Sequence, residues 1–131
     1  MQPATAFAAQ DEASAACTRR PIDLVHLSKF TMGRRDLEAE ILGLFRQQLA
    51  ASLARLAAAA ADAGNDRAWR EAAHTLKGSA RGVGAWALGD ACQKAETLDC
   101  GDARLAVIAV LDPLVTSATR FIDELLEDWH G

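Results

Sequence analysis

Between Asp66 and Gly82 the sequence carries a histidine, His74, followed by Lys77 three residues on, Gly78 four residues on and Arg81 seven residues on. A helix turns ~100° per residue, so these positions fall on one stripe, which Arg67 and Arg70 share. Imidazole is a nucleophile that needs no separate base, because its ordinary pKa near ~6.5 leaves a large neutral fraction at physiological pH. Lys77 and Arg81 bring cations to the same face, where they could neutralise phosphoryl oxygens during an in-line transfer. Gly78 is harder to explain by structure alone, since glycine inside an exposed helix costs about 1 kcal/mol relative to alanine and adds no packing. Its missing side chain leaves room for another protein's aspartyl phosphate to line up with a ring nitrogen. Taken singly, an exposed histidine is inert and the cations are solvated charge. The combination points to a phosphoryl carrier.

Such a stripe needs a helix whose other face is buried. Trp69, Ala72, Ala73, Leu76, Ala80 and Val83 provide that face, so the spacing predicts a helix from about Asp66 to Gly82 with His74 exposed to solvent. Upstream, Ile22, Leu24, Val25, Leu27 and Phe30 fit a short capping helix broken at Gly33. Asp36 is the expected N-cap of the next helix, with Glu38 and Glu40 in its first turn. That helix carries Leu37, Ile41, Leu44, Phe45, Leu49, Ser52, Leu53 and Leu56 inward and stops at Gly64-Asn65. Another is expected from about Ala85 to Leu98, with Gly82 and Gly84 at the turn into it. Cys100-Gly101-Asp102 then leads to a last helix bearing Leu105, Ile108, Leu111, Val115, Ala118, Ile122, Leu125 and Trp129, kinked near Val110 by Pro113. Short connections imply antiparallel neighbours. The expected fold is all-α, an antiparallel up-down four-helix bundle with a short N-terminal capping helix.

Composition agrees. The chain has 131 residues, half of them apolar, no tyrosine and only three prolines, which suits one helical domain over residues 21–131. Residues 1–20, rich in Ala, Ser, Thr and Gln, are expected to be a flexible tail without the features of a signal peptide. A net charge of -4 with no basic block argues against nucleic acid as a ligand. No stretch is expected to match the ~18 apolar residues of a membrane span. Cys17, Cys92 and Cys100 form no C-x-x-C pair, which disfavours a zinc site or disulfide framework and suits the cytoplasm.

The string His74-Thr75-Leu76-Lys77-Gly78-Ser79-Ala80, followed by Gly84-Ala85 and later by Cys92 and Glu96, closely resembles the histidine-containing phosphotransfer (HPt) family. The resemblance spans roughly Ile22 to Leu126 and includes Leu44-Phe45 and Ala72-Ala73. It implies that His74 is the phosphorylated residue, Lys77 the phosphate-stabilising cation and Gly78 the residue that gives access. Gln48, three residues after Phe45, matches a family position that hydrogen-bonds near the histidine. Arg81 departs from many relatives, which have a small or neutral residue there. The implied partners are receiver domains of a hybrid histidine kinase or of a response regulator. No cofactor is expected in this chain, Mg²⁺ being supplied by the receiver, and the chain is expected to be a monomer.

Three other functions compete with this one. The phosphoacceptor segment of a chemotaxis-type kinase would be similar, but no nucleotide-binding segment follows and no autokinase activity is expected. A helical docking module with an unphosphorylated histidine would retain its activity in a His74→Gln variant. A haem or metal bundle lacks the necessary ligand motifs. His26 and His130 stand isolated in sequence, Cys92 falls on an apolar stripe, and Trp86 is placed at the rim of the active face or in a structural role.

Overall fold

The computed structural model describes residues 20–62 and 64–130; the expected N-terminal tail lies outside them except for Arg20. Among the described residues there are five helices and no strand: α1 Leu24–Thr31, α2 Arg35–Ala61, α3 Asp66–Val83, α4 Trp86–Glu96 and α5 Gly101–His130. Helix α1 starts at Asp23, whose carboxylate accepts the His26 amide. Asn65 caps α3 in the same way, accepting from Ala68. These short polar side chains satisfy amides that have no partner within the first turn.

Helices α2 to α5 form the bundle, in which α2 packs on α3 and α5, and α4 packs on α3 and α5. The antiparallel sense shows in the cross-contacts. The Arg35 guanidinium near the start of α2 lies 4.4 Å from the Trp129 ring at the end of α5. Arg46, further along α2, is ion-paired with the earlier α5 residue Asp123. Leu42, Phe45, Leu49 and Leu56 from α2 meet Trp69, Ala73 and Leu76 from α3, Leu88 and Cys92 from α4, and Leu111, Val115 and Ile122 from α5 in one core. Helix α1 packs across α2 and α3, and the buried Thr31 hydroxyl donates to Glu38 Oε2 at 2.7 Å.

Several expectations are corrected. Helix α2 starts after Arg34, not at Asp36, because the Arg34 guanidinium takes the Asp36 carboxylate at 2.8 Å and Arg34 supplies no side-chain cap. Leu44 lies 55% exposed while Leu42 is buried, since two residues rotate a helix by ~200°. Val25, Phe30 and Leu105 are also exposed. On α5 the inward position is Arg104, whose Nη2 is 2.8 Å from Asp66 and whose guanidinium lies 5.4 Å from the Trp69 ring. Helix α5 continues through Pro113 as one element. It is also long and apolar enough to cross a membrane, contrary to the expectation that no segment would be. Leu111, Val115, Ala118 and Ile122 of this helix are buried in the bundle, so one such helix does not place the chain in a membrane.

The α3–α4 turn fixes how the two helices carrying the site meet. Gly84 has φ +84°, and the Ala85 amide donates back to the Ala80 carbonyl at 2.7 Å. A side chain at Gly84 would also come within 2.8 Å of Asp23 atoms, because the Gly84 carbonyl accepts the Asp23 amide. Gly84→Ala is therefore expected to lower the unfolding free energy by about 2 kcal/mol, from the left-handed backbone and the contact together. Urea denaturation of the two proteins measures it.

Candidate functional site

The amphipathic pattern of α3 sets the site. Trp69, Ala72, Ala73, Leu76, Ala80 and Val83 are all buried, which turns His74 outward with its side chain 71% exposed. The fully buried Trp69 donates its indole N–H to the Ala95 carbonyl at 2.7 Å. That bond holds the last turn of α4 against α3 and brings the next residue, Glu96, alongside His74.

Glu96 Oε1 lies 3.1 Å from His74 Nδ1 and 2.6 Å from Lys77 Nζ. The Glu96 carboxyl is held below its ordinary value of 4.5, first by the hydrogen bond from Lys77 and then, against a smaller opposing effect of burial, by His74. An ionised carboxylate can only accept, so Nδ1 carries the proton of the neutral ring and Nε2 keeps its lone pair. This exposed imidazole thus has one nitrogen tied down and, among the described residues, one free.

The other expected site residues are placed as follows. The Lys77 side chain is only 13% exposed and reaches Gln93 Oε1 at 3.2 Å as well as Glu96, so it is not the free, solvated cation that its stripe suggests. Arg81 leans on α4, its Cγ 2.9 Å from where a Gly89 side chain would begin, with Nη2 3.9 Å from Asp90. Gly78 is exposed, and a β-carbon there would meet nothing within 4 Å; no packing among the described residues requires the glycine. Gln48 is exposed on α2 and makes no side-chain hydrogen bond among the described residues. The partner of the His74 ring is Glu96.

In the sequence Glu96 stands out only as part of a motif, and Gln93 does not stand out at all. Both lie on α4, one helical turn after Cys92 and after Gly89 respectively, flanking its buried stripe. Cys92 is fully buried, and burial pushes its thiol up to about 12, which leaves it unreactive. Trp86 does not border His74: it starts α4, donates to Asp23 Oδ2 at 2.9 Å, and its ring lies 4.7 Å from that of His26. His26, isolated in sequence, is therefore part of an aromatic corner that also includes Phe30, 5.0 Å away.

A family model described as the Hpt domain matches residues 40–129, a stretch that contains His74, Lys77, Gly78, Arg81, Gln48 and Glu96. No curated protein and no solved structure matches the chain.

The site makes two stability predictions. Gly78→Ala should raise the unfolding free energy by about 1 kcal/mol, since the position is helical, exposed and uncrowded. Glu96 has its folded pKa depressed, so its contribution is complete above pH ~4.5 and is lost as pH falls through the lower folded value. Glu96→Gln should accordingly be less stable than the parent at neutral pH, and the difference should shrink below that pH. Thermal melts of both proteins from pH 7 to pH 3 test the sign, and a difference that widens in acid would contradict it.

Proposed function

We propose, on the premise that this chain belongs to the Hpt domain family, that His74 takes a phosphoryl group from a receiver-domain aspartate and returns it to another. Hpt domains carry phosphoryl groups on histidine in two-component signalling and meet receiver domains to do so. The observation that carries the assignment to His74 is the 3.1 Å contact from Nδ1 of an exposed ring to an ionised carboxylate.

Chemically, the Nε2 lone pair attacks the phosphorus of the receiver's aspartyl phosphate. An N–P bond forms, the P–O bond breaks, and its electron pair stays on the aspartate carboxylate. The ring gains positive charge as the N–P bond forms, and Glu96 beside Nδ1 offsets it. The reverse step moves the same electron pairs back. Gly78 leaves the approach to the ring open, and Lys77 keeps Glu96 ionised and in place. The receiver supplies the acidic Mg²⁺ site, so this chain acts as a carrier without autokinase activity, in the cytoplasm where its partners work.

Incubation with a phosphorylated receiver tests the assignment. His74→Gln should take no acid-labile label, and Lys77→Ala should take it more slowly without losing it. Gly78→Leu should fold normally and transfer at least tenfold more slowly, because a branched side chain fills the approach. Label retained on His74→Gln would remove the mechanism.

A further inference from the structure

The cations on the His74 face are unequally available. Lys77 is committed to Glu96 and Gln93, Arg67 pairs with Glu71 at 2.9 Å, and Arg81 is drawn to Asp90. Arg70 lies one turn before His74 on the same stripe, is exposed, and has no ion pair or side-chain hydrogen bond among the described residues. It shares with Glu71, His74, Thr75 and Glu96 an open cavity of ≈ 440 Å³ beside the imidazole.

We propose that Arg70 is the residue of this chain that grips the phosphoryl group at His74 during transfer, leaving Lys77 to hold Glu96. This rests on the assignment of phosphorylation to His74. Side chains on a helix lean toward its N-terminus, so the His74 ring lies over the turn that bears Arg70. Positions four apart on a helix have their β-carbons about 5–6 Å from each other, within easy reach of an extended guanidinium. A guanidinium also presents paired donors that match two phosphoryl oxygens, which an ammonium does not. For Lys77 to do the same it would have to leave Glu96 from a side chain 13% exposed, loosening the carboxylate that orients Nδ1. Arg70 can turn to the phosphoryl group without breaking any ion pair in the resting site.

Phosphoramidate tests this without a receiver: its P–N bond breaks, ammonia departs, and a new N–P bond forms at His74 Nε2. Phosphorus NMR follows the phosphohistidine in the full chain and in the Arg70→Gln, Arg70→Lys and His74→Gln variants, with circular dichroism confirming the fold. Arg70→Gln should react roughly tenfold more slowly, the loss expected for one charge-assisted hydrogen bond, and Arg70→Lys should recover only part of the rate. The phosphoryl resonance should also titrate at higher pH in Arg70→Gln, because a neighbouring cation favours the dianion; a merely structural role would not move it. An unchanged rate and titration in Arg70→Gln, with His74 labelled in the parent, would overturn the proposal while leaving the phosphohistidine assignment intact. A defect seen only with a receiver would likewise overturn it, assigning Arg70 to docking. Labelling of His74→Gln equal to that of the parent would remove both.

Discussion

The hydrogen bond from the Trp69 indole to the Ala95 carbonyl sets the register on which the site depends. Trp69 is fully buried, and a buried donor left without its acceptor costs about 1–3 kcal/mol, so the last turn of α4 cannot slide along α3 without penalty. A slip of one residue would rotate that turn by ~100° and carry Glu96 away from His74. Arg104 reinforces the arrangement from α5, donating to the Leu98 carbonyl at 3.0 Å and pairing with Asp66 at the start of α3. An exposed, solvent-facing histidine thus meets its carboxylate partner because a buried hydrogen bond fixes how α4 lies against α3.

What the sequence makes legible follows from which interactions are local. The α3 stripe could be read residue by residue, because its apolar and charged positions separate cleanly around the helix. Helix α2 is Leu- and Ala-rich on more than one face, so Leu44 and Leu42 exchange roles between pattern and structure. On α5 the apolar Leu105 sits beside Arg104, and only the tertiary partners Asp66 and Trp69 explain why the charged residue is the buried one.

The same division runs through the site. His74, Lys77, Gly78 and Arg81 are neighbours on one helix, and their spacing alone places them on one stripe. Glu96 and Gln93 come from α4, and their approach depends on bundle geometry that no local spacing encodes. The consequence is chemical as well as geometric: with Glu96 present, Lys77 is half of an ion pair, and the cationic stripe read from sequence is largely neutralised by α4 and by Glu71.

That neutralisation bears on why a carrier of the proposed kind can give up what it accepts. A cluster of unpaired cations would bind a phosphoryl group tightly and hold it, making return to an aspartate unfavourable. Here Lys77 and Glu96 already compensate each other at 2.6 Å, which weakens the pull of Lys77 on phosphoryl oxygens, and the carboxylate repels those oxygens even as it attracts the ring charge, so its two effects partly cancel. Free and phosphorylated states are then closer in electrostatic energy than the raw cation count around His74 suggests. Reversible exchange with a receiver aspartate, as proposed for His74, requires such a balance, and on that proposal the single carboxylate of α4 contributes to it.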